Sequence, residues 1–248
     1  MIPAAFFVPM LHEFIKARVS TRLGDGTPRK YGFLTLNPFK YFEPIGFFLI
    51  MAYGVGWGQP VPTSPFGYKD KRKGIAFTYT IPILVILLLG VLTAVLLSAM
   101  RAPLVEWSRE FGGFSSTFMS FSTTYAFPEL VDVTRLVSPR ERPYLLSLSR
   151  VITLTTDAPF SFYFMLVVNQ MLLHFARFSI SLALFNLIPI FPLAMNKLLH
   201  LFISPEASMK LNQNEKMLQI LLIFLLIFGI LQAVIFPIRD FIIRMVSF

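Results

Sequence analysis

Residues 81–100 contain no charged side chain, and that run constrains the fold more than any other feature of the sequence. At about 1.5 Å per residue, a helix of this length crosses the hydrocarbon core of a bilayer, about 30 Å thick. The rest of the chain agrees. Of 248 residues, 14% are charged and 55% hydrophobic, against roughly 25% charged in a soluble domain. The expected fold class is an all-α polytopic membrane protein, a single membrane domain over 1–248. In that setting the formal net charge of +9 reads as basic loops facing an anionic membrane surface. The bilayer is then an expected partner and nucleic acid is not.

Other apolar runs set the organisation. Residues 217–238, interrupted only by Gln219, Gly229, Gln232 and Pro237, are expected to form a final transmembrane helix. Residues 158–203 are about twice as long as one crossing and contain Asn169, His174, Arg177, Asn186, Pro189 and Pro192. They read as an amphipathic or partly inserted segment leading into a span that starts near Phe178. Residues 1–15 are short for a span and end on His12 and Glu13, groups costly in lipid that by default mark a functional site. No basic segment precedes this run and no small-residue cleavage site follows it, so a secretory signal peptide is not expected.

Residues 44–57 are apolar but too short to cross comfortably, and are expected to form a re-entrant or interfacial hairpin. Charge supports this, because residues 12–73 hold ten Lys/Arg against four acids, on both sides of the hairpin. The positive-inside rule puts both flanks in the cytoplasm. Residues 101–157 hold six arginines, six acids and no lysine, so they are expected to form an extracytoplasmic insertion. There Phe111, Phe114, Phe118, Phe121 and Phe127 recur near helical spacing, as in a hairpin on the membrane surface or a docking surface for a partner. With Lys197, Lys210 and Lys216 inside, the expected topology has the amino terminus outside, about four transmembrane helices and one re-entrant hairpin.

Cysteine is absent and histidine numbers three, which excludes disulfides, thiolate metal sites and cysteine nucleophiles. Two segments carry chemistry. One is Leu11-His12-Glu13-Phe14-Ile15-Lys16-Ala17. A zinc hydrolase helix needs His, Glu and a second His at i, i+1 and i+4, because i and i+4 share a face and reach one metal while Glu activates its water. Here the i+4 position is Lys16. The other segment is Asn186-Leu187-Ile188-Pro189-Ile190-Phe191-Pro192-Leu193-Ala194-Met195-Asn196-Lys197.

With these segments the chain resembles the site-2 protease family of intramembrane zinc metalloproteases, in particular its compact bacterial branch. That family pairs a His-Glu-x-x-His helix with a later Asn-x-x-Pro-x-x-Pro-x-Asp-Gly segment, whose Asp is the third zinc ligand. Between them lie stretches like Leu34-Thr35-Leu36-Asn37-Pro38, Glu43-Pro44-Ile45-Gly46 and Gly56-Trp57-Gly58-Gln59-Pro60-Val61-Pro62. The resemblance implies a protease-like core over 1–100 and 178–203, and a bacterial inner (plasma) membrane location. Residues 101–157 have no counterpart.

The departures bear on function. His12 matches the first ligand and Glu13 the catalytic base, but Lys16 stands at the second ligand and Ala194 at the third. Asn186 and both prolines are kept. Where the family has Gly-Pro and then Asn, this chain has Ile81, Pro82 and Val85, and Met195, Asn196 and Lys197 replace Gly-Gly-Arg. Neither His174 nor His200 falls at a position that replaces a lost ligand. No active catalytic residue and no bound metal are therefore expected. Without a dication, Glu13 is a buried lone carboxylate, and Lys16 at i+3 is expected to pair with it, the alternative being that Lys16 snorkels to the surface. The expected function is an inactive homologue that acts as a binding, assembly or structural subunit for other integral membrane proteins. The alternative is an active intramembrane metalloprotease with an atypical zinc site, and a transporter or channel is a distant third.

Overall fold

The structure, a computed structural model, describes residues 2–110 and 160–246. All regular structure among them is helical. In chain order the helices are α1 (Ile2–Arg22), α2 (Thr27–Lys30), α3 (Pro44–Tyr53), α4 (Lys71–Glu110), α5 (Phe160–Phe185), α6 (Ala194–Leu199), α7 (Pro205–Gln213), α8 (Glu215–Ile227) and α9 (Ile230–Val246), with a 3₁₀ turn at Pro38–Tyr41. The Phe-rich segment and the rest of the expected insertion beyond Glu110 lie outside the described residues, while residues 101–110 continue α4.

α1, α4 and α5 pack together as the central bundle. Ala4, Ala5 and Val8 of α1, Ile50 of α3, Ile86 of α4 and Phe178 and Leu182 of α5 share one buried cluster. Small residues bring the backbones close, as membrane helices require: a Cβ at Gly90 would meet Ile180, Ser179 and the Ala176 carbonyl. A second cluster joins Leu49, Val55 and Trp57 to Phe185, Leu193, Leu222, Leu226 and Ile235. On the opposite face of α4, Leu84, Leu88, Leu92 and Leu96 are each about half exposed at i, i+4 spacing. A contiguous apolar stripe of that kind is a lipid-facing surface.

Two helices are long and apolar enough to cross a membrane, over Lys71–Ala99 of α4 and Val167–Phe185 of α5. The bent pair α8 and α9 makes a third only if it is one broken span. That is fewer than the four crossings expected. α1 is long enough, but His12, Glu13, Lys16, Arg18 and Arg22 all lie in it, so it is not among the apolar spans.

Two further expectations are corrected. The span expected to start near Phe178 belongs to a helix that already begins at Phe160. Its polar residues do not interrupt it, because His174 stacks on Phe178 with ring centroids 6.1 Å apart and is sheltered by neighbouring helices. The single helix expected over 217–238 is two helices that meet at 66°. Gly229 has φ +74°, a left-handed conformation that ends α8. Gln232 then donates its side-chain amide to the Leu226 carbonyl at 2.9 Å, and Pro237 sits inside α9 without ending it.

Residues 44–57 turn back as one helix, α3, followed by an extended return. Pro44 opens α3, the Glu43 side chain accepts from the Gly46 amide, and Gly54 with φ +73° closes it. The chain then runs back so closely that a Cβ at Gly46 would stand on the Trp57 carbonyl, and one at Gly56 on the Gly46 carbonyl.

A polar latch fixes where this return ends. Asp25, beyond α1, accepts from the Ser20 hydroxyl at 2.8 Å, the Ser64 amide at 2.9 Å and the Thr27 amide at 2.9 Å. Tyr68 adds a hydroxyl contact to Ser20 at 3.0 Å. Burial pushes the Asp25 carboxyl up, but these hydrogen bonds outweigh it and hold it below its ordinary value of 3.8. A depressed folded-state pKa contributes stability that is present above the unfolded value and lost as pH falls through the folded one. Asp25→Asn should therefore remove the part of the acid destabilisation that sets in below about pH 4 and cost roughly 1–2 kcal/mol at neutral pH, the order of one charge-assisted hydrogen bond. Thermal unfolding of the detergent-solubilised protein between pH 3 and pH 7 checks it, and an unchanged pH profile would count against the latch.

Candidate functional site

α1 presents His12, Glu13 and Lys16 on one inward face, and all three are buried, with 3%, 7% and 5% exposure. Lys16 Nζ lies 2.8 Å from Glu13 Oε2, so the ion pair expected from the i, i+3 spacing is present. Snorkelling to the surface is ruled out by its burial. Glu13 Oε2 also accepts the Val61 amide at 2.7 Å, and His12 Nδ1 lies 3.0 Å from Glu13 Oε1. Both carboxylate oxygens are thus engaged by the protein itself. His12 Nε2 is buried without a hydrogen-bond partner among the described residues.

The walls of the site come from distant segments. Tyr79 of α4 places its ring 5.3 Å from Lys16 Nζ, a cation–π contact, and its hydroxyl lies 2.8 Å from the Thr63 hydroxyl. Tyr79 in turn packs in one cluster with Ile83, Ala183 and Ala194. Ala194, the position matched to the third ligand, is buried in the cluster that holds Tyr79 and offers only a methyl group. Asn186 sets this register. Its side-chain amide donates to the Leu182 carbonyl at 2.9 Å, its Oδ1 accepts the Ala194 amide at 3.2 Å, and its own carbonyl accepts the Met195 amide at 3.1 Å. The loop containing Pro189 and Pro192 is clipped onto the end of α5, and α6 starts at Ala194.

His12, Glu13 and Lys16 form one group on α1 and Asn186 and Ala194 a second at the end of α5, with Tyr79 contacting Lys16 on one side and sharing a cluster with Ala194 on the other, whereas the other histidines are elsewhere. His174 stacks on Phe178, and His200 Nδ1 lies 2.5 Å from the Ser208 hydroxyl. Residue-type reading missed Val61, Thr63 and Tyr79. Val61 acts through its main-chain N–H, which no side-chain pattern encodes; the run Gly58-Gln59-Pro60-Val61-Pro62, which cannot be helical, was the available signal.

A catalytic zinc takes three protein ligands and keeps one open position. The donor set here does not fit that requirement: one imidazole, a carboxylate already saturated by an ammonium and an amide, and a methyl group. Among the described residues no three His, Asp or Glu side chains form a metal-binding group.

By fold and composition the chain is a helical membrane protein, and comparison with known proteins adds one partial likeness. It is 36% identical over 92 residues to a protein of Bacillus subtilis (strain 168) described as "Putative zinc metalloprotease YwhC". The match covers 36% of this chain and 42% of that relative, so the chain spans less than half of the relative's length. No family model matches, and no solved structure matches.

Proposed function

We propose that the chain is a site-2-protease-like membrane protein without catalysis, with its protease-like core over 1–100 and 178–203, that serves as a binding, assembly or structural subunit for other membrane proteins. In this reading it is a multi-pass protein of the bacterial inner membrane, and α1 is a further crossing whose polar face is turned inward. Glu13 carries the reading. A catalytic carboxylate must be free to take a proton from water, and this one is committed to Lys16, Val61 and His12. Lys16 supplies the positive charge that a metal would otherwise bring, and Ala194 brings no negative charge that would need a second cation.

A scaffold built to hold a transmembrane or extended segment recognises it by shape and backbone pairing, and that recognition outlasts the loss of a metal. One observation favours the rival reading, an active metalloprotease with an atypical zinc site: the unpartnered Nε2 of His12 is the kind of atom a metal takes. Metal analysis and subunit composition of the same mild detergent extract separate the two. The expected result is no stoichiometric zinc, together with stoichiometric co-purification of other membrane subunits. Near-stoichiometric zinc that disappears in His12→Ala would overturn the proposal.

A further inference from the structure

Glu43 opens α3, where its Oε2 accepts the Gly46 amide. The other carboxylate oxygen has no hydrogen-bond or ion-pair partner among the described residues. Glu43 is half-buried and lines a cleft with Phe6, Tyr41, Phe42, Phe47 and Trp57. Three of these rings hold one another in place: Phe6 lies 5.4 Å from Phe42 and 4.6 Å from Phe47, and Phe42 lies 5.3 Å from Phe47, between centroids. The cations of this part of the chain are engaged elsewhere. Lys40 Nζ stands 4.9 Å from the Phe33 ring centroid, the Arg18 guanidinium 5.1 Å from that of Phe14, and Lys16 pairs with Glu13. The amino-terminal end of α3 contributes about half a positive charge, which leaves the carboxylate only partly balanced.

The neighbours of Glu43 give its depth. Phe42 and Phe47 bracket it in sequence and both pack on Phe6. Phe47 in turn joins the cluster that holds Ala5, Ile50, Ile86 and Leu89. Ile86 and Leu89 belong to the charge-free run 81–100, about 8 and 12 Å from its start at about 1.5 Å per residue. In a hydrocarbon core about 30 Å thick, Glu43 therefore stands well inside, away from the headgroups at either boundary. Around it Phe39, Ile45 and Phe48 are exposed and apolar. A partly balanced carboxylate on such a surface is costly in lipid until a cation is brought to it.

We propose that Glu43 and the cleft beside it receive the ammonium of a lysine carried by a transmembrane helix of a partner protein. The inference rests on the reading of the chain as a binding subunit and names the chemistry of what it binds. A lysine and a carboxylate are each costly alone in the core, and pairing relieves both. The aromatic wall excludes water and so strengthens their attraction. The cleft has room for about one water-sized group, which suits a compact ammonium better than the planar fork of a guanidinium. Phe39, Ile45 and Phe48 offer the apolar surface on which the rest of that helix packs.

The full-length protein is reconstituted in dioleoyl phosphatidylcholine bilayers with a synthetic leucine–alanine transmembrane helix that carries one central lysine, or arginine or leucine in its place. Association is read by energy transfer from the protein's tryptophans to a dansyl group on the peptide. Dicyclohexylcarbodiimide then joins a paired carboxyl and amine as an amide, taking up the water lost as its urea, and mass spectrometry locates the bond. The lysine helix is expected to bind about tenfold more tightly than the leucine helix and severalfold more tightly than the arginine helix, with the amide at Glu43. Glu43→Gln, which keeps an oxygen for the Gly46 amide, should bring the lysine helix to the level of the leucine helix. Unchanged binding in Glu43→Gln overturns the proposal, as does an amide at another carboxylate instead, and arginine binding as well as lysine overturns the ammonium. If phosphatidylethanolamine displaces the lysine helix, the cleft belongs to a headgroup and the proposal fails. Should Glu43→Gln not fold, the parent protein decides, and equal binding of the lysine and leucine helices is the overturning result. Neither measurement involves zinc or Glu13, so a failure here while membrane subunits still co-purify sinks the lysine site and leaves the binding-subunit reading in place.

Discussion

Lys16→Met is expected to destabilise the protein by roughly 3–5 kcal/mol, because it removes one partner of a buried ion pair and leaves the other uncompensated. Glu13 is 7% exposed, so water cannot replace the ammonium 2.8 Å away. The Val61 amide would remain, but a main-chain dipole does not supply the full positive charge that Lys16 supplies. For a chain of this size the loss corresponds to about 10 °C in Tm. The double variant Lys16→Met with Glu13→Gln should recover most of it, since a neutral amide beside an apolar side chain carries no buried charge. Thermal unfolding of both variants in detergent reads the cycle directly. A single variant within 1 kcal/mol of the parent protein would mean that Glu13 is solvated or protonated, and the proposed replacement of a metal by Lys16 would lose its basis.

Gly56→Ala should cost about 3 kcal/mol or more, at the upper end of overpacking penalties, because the obstructing atoms are backbone rather than the end of a flexible side chain. The added methyl would stand on the Gly46 carbonyl and press on Ile50. The return strand could relieve it only by lifting away from α3. That movement would withdraw Val61, five residues on, from Glu13. The variant is therefore expected to lose stability and also to loosen the Glu13 site, seen as faster hydrogen exchange at the Val61 amide. A control, Gly26→Ala, meets no atom within 4 Å and should change neither. If Gly56→Ala were as stable as Gly26→Ala, the close return of the chain over α3 would be wrong.

The legible parts of the fold were those determined by local pattern. α4 could be read because its apolar run is unbroken, and the turn-back over 44–57 because charge flanks it on both sides. The grouping of His12, Glu13 and Lys16 followed from their i, i+1 and i+4 positions on one helix. The start of α5 was not legible, because His174 and Arg177 look like a boundary until the helices that shelter them are in place. Gly229 was visible as a residue, but its 66° bend was not, since glycine permits a straight helix as readily as a left-handed stop. Val61 and Tyr79 reach the site from about 48 and 66 residues beyond Glu13, distances over which periodicity carries no information.

By itself, then, the sequence determined that this is a membrane chain and that two of the three positions matched to zinc ligands hold Lys16 and Ala194, because both are matters of which residue types stand where. Only the tertiary structure decided what those residues do. Lys16 turns to Glu13 instead of the membrane surface because the Val61 amide fixes the Glu13 carboxylate and the Tyr79 ring stands against the ammonium, and a side chain enclosed by segments distant in sequence has its direction set by them.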